Sequence, residues 1–318
     1  MNRRVTIVMY HYVRDLARSR YPEIKGRTVE EFRGQIDWLR AHTTIVSAEA
    51  VMDAIATRAP LPPRACLLTF DDGFADHYDT VYPILRDHGL PGAFFPPARI
   101  SLQNTVLDVN KIHFVLASVS DKRSLLDAMF RHMADLRDEF GLPPDAHYRE
   151  TVSISDKRWD TPDVIFFKRM LQRELPEPVR ARIAGRLFRD FVGADEAAFA
   201  RGLYMSVGQM REMIAGGMHF GSHGRNHGWM NRFPPKEQEE KIDDSLRFLR
   251  DLGAPTDRWI MNYPYGGWNE SLLQILRRKG CTAGLSTCVD VADLDRDDPL
   301  LLPRLNTNDL PVRADAPG

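Results

Sequence analysis

The chain has 318 residues, with 43 Lys plus Arg against 44 Asp plus Glu, a formal net charge of −1. Such a balance argues against a nucleic-acid binder, which needs a basic excess to neutralise phosphates, and gives no polybasic attraction to an anionic membrane. Hydrophobic residues at 43% and charged residues at 27% exclude disorder as the main state and leave enough apolar material for one large α/β barrel or two smaller domains.

The N-terminus reads MNRRVTIVMYHYV. Its apolar run, Val5–Tyr10, is short, is interrupted by Thr6 and precedes no small-residue cleavage site, so it reads as a buried strand and not as a leader. No run of about 18 apolar residues occurs, so no membrane span is expected and the cytoplasm is the expected compartment. Thr28-Val29-Glu30-Glu31 is a capping-box signal that opens a helix to about Arg40. Thr44–Val46 reads as a strand, and Ser47 caps a helix to about Ala56. Ala65–Phe70 is a continuous apolar strand that ends on Asp71-Asp72-Gly73. A helix to His88 stops at Gly89, and Gly92–Phe95 is another strand. This alternation implies a parallel sheet, open or closed.

From Ser101 to about Leu203 the pattern is mostly helical and charge-rich. The clearest helices are Ser124–Phe140, Val164–Glu174 and Pro178–Val192. Residues 101–205 are therefore expected to be a helical insertion or cap between 1–100 and 206–310, the two parts of one barrel. This insertion also offers a surface for homo-oligomer formation. Ser206 caps a helix to about Ala215. Then follow strand Met218–Ser222, helix Pro234–Leu252, strand Trp259–Tyr263, helix Glu270–Lys279, strand Thr282–Ser286 and a last strand, Leu300–Leu305. The tail, 311–318, lacks a periodic pattern and is expected to fray. Cys66, Cys281 and Cys288 fit neither a disulfide framework nor a metal ribbon, and Cys66 sits in a core run.

In α/β sheets and barrels, chemistry gathers at the carboxyl ends of the strands. Polar residues follow the predicted strands at four places. Asp71-Asp72 puts two carboxylates side by side, a costly arrangement that a divalent cation would relieve; taken alone, the segment is equally a solvated turn. His223 and His227 have a familiar ligand spacing, although two flanking glycines and Asn226 make the segment a loop, and two unrelated surface histidines would look the same. His219 shares side-chain parity with His223 and reads as a packing residue. Tyr263-Pro264-Tyr265-Gly266-Gly267-Trp268 brings aromatics and close-approach glycines together, as a sugar pocket or as an ordinary turn. His11 ends the first strand, where a lone histidine is commonly structural.

Taken together, in this order, the segments resemble the polysaccharide deacetylases, the NodB-homology or carbohydrate esterase family four. Thr69-Phe70-Asp71-Asp72-Gly73 matches the first motif, Ser222-His223-Gly224-Arg225-Asn226-His227 the second, and Tyr263-Pro264-Tyr265-Gly266 the third. Tyr82-Pro83-Ile84-Leu85 also follows the first motif as in the family. The resemblance covers 1–100 and 206–305 and implies a distorted (β/α)7-type barrel. It is closest to the branch that includes the poly-N-acetylglucosamine deacetylases, whose members open on Tyr-His-x-Val, as Tyr10-His11-Tyr12-Val13 does here. In that branch the acid histidine is permuted to the N-terminus, which makes His11 the general acid.

The resemblance further implies Asp72, His223 and His227 as metal ligands and Asp71 as general base. It implies the Tyr265 backbone N–H as oxyanion donor. Zn²⁺ suits the ligand set best, with Co, Ni and Fe compatible. Two features depart from the family. Asn262 stands where an arginine usually holds the base, so Arg304 becomes the candidate replacement, the alternative being a structural ion-pair partner. Asp72 and His223 are also separated by the long 101–205 segment. The implied activity is N-deacetylation of an N-acetylated sugar. A nucleotide- or lipid-linked precursor of O-antigen or capsule is the expected substrate, with Arg225 facing a phosphate and Trp268 and Tyr263 lining the sugar site. The alternatives are a non-catalytic carbohydrate-binding or assembly protein on the same barrel and an amidohydrolase of non-sugar amides.

Overall fold

The computed structural model describes residues 2–100, 104–154 and 160–316. Residues 101–103 and 155–159, which fall in the expected insertion, and 317–318 of the expected tail lie outside the described residues. The chain forms two compact units. One comprises Met1–Asp15, Gly26–Thr105 and Ala200–Gly318, the other Leu16–Lys25 and Val106–Phe199. Residues 16–25, assigned from the sequence to the barrel, thus group with the helical unit.

The first unit carries strands β1 (Arg4–Tyr10), β2 (Thr44–Ile45), β3 (Ala65–Asp71), β4 (Ala93–Phe95), β5 (His219–Phe220), β6 (Trp259–Asn262), β7 (Cys281–Leu285), β8 (Ala292–Asp293) and β9 (Leu305–Asn306). β1 runs parallel to β3 in a register from Val5↔Ala65 to Tyr10↔Phe70. β3 pairs in parallel with β4, β4 with β5, β6 with β7, and β9 with β1. Single parallel bridges, Ser222↔Met261 and Leu285↔Leu302, join β5 to β6 and β7 to the segment entering β9. The pairing therefore traces a circuit of seven positions whose weakest joints are one bridge wide, a distorted (β/α) barrel. β8 adds a short antiparallel pair to the start of β1.

Strand alternation sorts the apolar residues into two clusters. Val5, Ile7, Ala65, Leu67, Ala93, Phe95, Ile260, Ala283, Leu285 and Leu302 form the inner one. Helix Ala48–Thr57 packs Ala48, Val51 and Met52 into it. Val8, Cys66, Leu68, Phe70, Phe94, Phe220 and Met261 face outward and are covered by helices. Each buried large apolar side chain contributes about 1.5–3 kcal/mol before entropy is counted. The inner parity continues past the strands, from Val5 and Ile7 to His11, from Leu67 to Thr69 and Asp71, and from Ile260 to Asn262.

Several expected boundaries move for identifiable reasons. The helix after β3 begins as a π-turn, His77–Val81, and becomes α-helical at Tyr82–Asp87. Pro83 supplies no N–H, so the preceding turn cannot close with ordinary α bonds. Helix Pro162–Arg169 likewise ends in a π-turn, Met170–Glu174. The expected strand Leu300–Leu305 is a 3-10 turn at Pro299–Leu301 followed by Leu302 and β9, because Pro303 cannot donate to a ladder. Over 311–316 the expected tail makes contacts with the first helix. Trp38 Nε1 donates to the Ala316 carbonyl (3.1 Å), and Gly34, lacking a Cβ, makes room for the Val312 carbonyl.

In the second unit, residues 106–199 are mainly helical where described, with helices Asp108–Ser118, Lys122–Phe140, Asp145–Thr151, Pro162–Arg169 and Glu177–Phe191, whereas Leu16–Lys25 is turns. Helix Glu177–Phe191 packs on both Asp108–Ser118 and Lys122–Phe140. Leu125, Met129, Met133 and Leu136 form one buried face, and Val179, Ile183 and Leu187 another. Both show the spacing of an amphipathic helix.

Candidate active site

β3 ends on Asp71, and the next two residues turn sharply, Asp72 at φ +71° and Gly73 at φ +70°. A Cβ at Gly73 would press on Ile100 and Pro96. His227 (φ +54°) and Tyr265 (φ +56°) are also left-handed. Each such non-glycine residue costs about 1–3 kcal/mol, and their gathering at one place points to function.

Asp72, His223 and His227 converge, with one potential ligand atom from each lying within 4.8 Å of the others. All three are buried. His223 Nε2 is 3.5 Å and His227 Nε2 is 3.4 Å from Asp72 Oδ1. His223 Nδ1 donates to the Asn262 carbonyl (2.8 Å). That bond puts a proton on Nδ1 and leaves Nε2 as a lone pair facing a carboxylate oxygen. Nε2 is buried and meets no hydrogen-bond partner among the described residues. Two acceptors turned toward each other in a dry site call for a cation, and one carboxylate with two imidazoles is a donor set that suits a divalent transition metal. Burial pushes the His227 imidazole down to about 4, with Asp72 opposing, so that ring is neutral near pH 7. Burial would raise the Asp72 carboxyl, while the positive charge that His227 and His223 carry when protonated pulls it below the usual carboxylate range.

Asp71 lies beside this cluster, 2% exposed. Arg304 Nη1 donates to both its oxygens (3.0 and 3.1 Å), and Asn262 Nδ2 donates to Oδ1 (2.6 Å). Arg304 is itself fixed by donating from Nε to the Ser286 carbonyl (3.0 Å). Burial works to raise the Asp71 carboxyl, but Arg304, then His11 and His223, overcome it and keep it ionised below the usual range. Across from Arg304, His11 Nε2 stands 3.9 Å from Asp71 Oδ2, its side chain one-third exposed. β1 and β9 are neighbours, and β1 also borders β3, so residues distant in sequence meet around one carboxylate.

The structure therefore brings together Asp71, Asp72, His223, His227, His11 and Arg304. The Tyr265 ring lies edge-on to His227 (centroids 4.5 Å) and stacks on Trp229 (4.8 Å). The remaining expected substrate residues sit elsewhere. Tyr263 is fully buried and donates its hydroxyl to the Leu300 carbonyl (2.8 Å), so it supports the turn. Arg225, half exposed, is ion-paired with Asp244 at 3.1 Å. Trp268 is 41% exposed. Asn262 is the residue whose part the sequence reading missed: it holds the base with its side chain and orients His223 with its carbonyl. Its inward parity on β6 was the available signal.

A polysaccharide deacetylase family model matches residues 58–132 and 194–284. The chain is 22% identical over 182 residues to the Bacillus subtilis (strain 168) protein named "Putative polysaccharide deacetylase YxkH", covering 48% of this chain and 61% of that one. It is 33% identical over 91 residues to the poly-beta-1,6-N-acetyl-D-glucosamine N-deacetylase of Escherichia coli K12, covering 28% of this chain and 13% of that enzyme. The chain thus matches about three-fifths of the first relative's length and about an eighth of the second's. The fold is similar to that of the Streptococcus pyogenes deacetylase PplD solved with acetate (TM-score 0.58, 18% identity, 96% of this chain and 93% of that one). It is also similar to IcaB from Ammonifex degensii (TM-score 0.54, 19% identity, 96% and 92%). The family model spans just over half of the chain, including the segments that supply Asp71, Asp72, His223, His227 and Asn262; the chain belongs to the polysaccharide deacetylase family.

Proposed function

We propose that the protein is a metal-dependent N-deacetylase that hydrolyses acetamido groups on an N-acetylglucosamine glycan. The observation that carries this reading is the buried His223 lone pair turned toward the Asp72 carboxylate, directly beside an Asp71 held ionised by Arg304. A divalent ion held by Asp72, His223 and His227, with zinc suiting the donors best, would acidify a water and polarise the amide carbonyl. Asp71 takes the proton of the attacking water, since Arg304 and Asn262 fix its carboxylate in place and keep it ionised and able to accept a proton. The Tyr265 backbone N–H, by family resemblance, donates to the oxygen that becomes negative. His11 delivers a proton to the departing amine as the C–N bond breaks. Acetate and a free amino sugar result.

The relatives' names favour a β-linked N-acetylglucosamine polymer over a nucleotide- or lipid-linked precursor. The test is acetate release from N-acetylglucosamine oligosaccharides and from a nucleotide-linked N-acetylglucosamine, for zinc-loaded wild type and Asp71→Asn. Release from the oligosaccharides, reduced about 10²–10⁴-fold in the variant with metal content unchanged, supports the reading. Release from the nucleotide sugar alone restores the precursor. Oligosaccharide binding with no acetate from wild type means a carbohydrate-binding protein.

A further inference from the structure

The chain just beyond β1 runs along the turn just beyond β3, and four interactions tie the two together. His77 Nε2 donates to the His11 carbonyl (2.9 Å). Tyr12 stacks on Phe74, with centroids 4.0 Å apart. The Asp76 carboxylate accepts from the Val13 backbone N–H and pairs with Arg14 Nε at 2.7 Å. The β1–β3 ladder ends at Tyr10↔Phe70. Beyond it the segment is held by this turn and by a parallel bridge, Val13↔Arg27, in which the Arg27 N–H donates to the Tyr12 carbonyl (2.9 Å). Of these, only the turn reaches the His11 peptide itself, through His77.

His77 is an expensive residue at its position. It is fully buried, and its ring packs among Phe70, Phe74 and Phe94 at centroid distances of 5.6, 5.7 and 5.8 Å. Its Nδ1 meets no hydrogen-bond partner among the described residues. A phenylalanine would fill the same aromatic pocket without burying an unsatisfied nitrogen. What a phenylalanine cannot supply is the donor to the His11 carbonyl.

We infer that His77 is a positioning residue for the catalytic acid: by holding the peptide that follows His11, it fixes the imidazole that stands 3.9 Å from Asp71. The inference rests on the deacetylase reading and deepens it. A misplacement of about 1 Å in a reacting group can cost about 10²-fold in rate, so one hydrogen bond at this point has leverage.

The experiment compares zinc-loaded wild type, His77→Phe and His77→Gln, the last offering an amide nitrogen near the position of Nε2. Melting temperature, metal content, kcat and KM for acetate release, and the imidazole NMR signals of His11 are measured on each. In His77→Phe, melting temperature and metal content should stay at or above wild type, kcat should fall about tenfold or more at unchanged KM, and the His11 signals should shift or broaden. His77→Gln should recover a large part of kcat. Wild-type kcat and His11 signals in His77→Phe would overturn the inference. So would a kcat loss that follows a loss of stability or metal, or one that glutamine does not relieve. A wild type that releases no acetate sinks the deacetylase reading, and the His11 signals of His77→Phe then decide the positioning alone.

Discussion

The barrel unit and the helical unit bury very different things. Among the described residues, the buried polar side chains of the helical unit are Asn110 and Lys111, and Lys111 reaches Glu196 at 2.8 Å. The barrel unit buries Asp71, Asp72, His77, His219, His223, His227, Asn262 and Arg304, along with Arg3, Lys241 and several uncharged polar residues. Taking ionisable groups out of water costs several kcal/mol each unless partners or a metal compensate. Among the described residues the helical unit meets that cost only at Lys111, where Glu196 offsets it. Its acids and bases pair on the surface, as Arg182 does with Glu139 (2.6 Å), where each pair contributes little. The contrast separates a region built for stability from one that gives up stability for chemistry.

The strongest test of the contrast is His223→Ala. It should reduce bound metal from about one equivalent to none and bring acetate release to background, read by elemental analysis and by assay. Retained metal would mean that the buried polar cluster is not the ligand set. Next is Leu187→Ala, at a fully buried position of the helical unit. A loss of about 2–5 kcal/mol, read as a lower thermal midpoint, is expected with metal content unchanged. If metal binding falls with it, the helical unit contributes to the site and the contrast fails.

The smallest effect sits at the closed end of the barrel. His219 Nδ1 donates to Glu49 Oε1 (2.8 Å) from a buried ring. This bond, against the opposing effect of burial, draws the Glu49 carboxyl down from its ordinary 4.5 to about 2. A depressed folded-state pKa contributes stability above the unfolded value, and that contribution is lost as pH falls from 4.5 toward 2. Glu49→Gln should therefore melt below wild type at pH 7, by no more than about 1 kcal/mol because the glutamate is half exposed, and the gap should narrow below pH 4.5 and close near pH 2. An unchanged gap would make the pair a packing contact and not a charge interaction.

Much of this was legible in the chain because it is written locally. Continuous apolar runs marked β1, β3 and β4, the capping boxes at Thr28 and Ser206 opened their helices at the expected residues, and the motifs named Asp71, Asp72, His223 and His227. Local rules failed where proline removed a donor, as in the π-turn before Pro83 and the broken strand at Pro303. Nor could they read the tail's contact with Trp38, 278 residues earlier in the chain.

What only the tertiary structure decided is which groups meet. Residue type and spacing determine that a carboxylate and two imidazoles are available. They do not determine that Arg304 and Asn262 share one carboxylate, that Tyr263 turns its hydroxyl to the Leu300 carbonyl, or that His77 bonds the peptide of His11. Those contacts depend on which strands lie side by side. Strand order is set by the packing of the whole barrel, whereas a motif records only its own few residues.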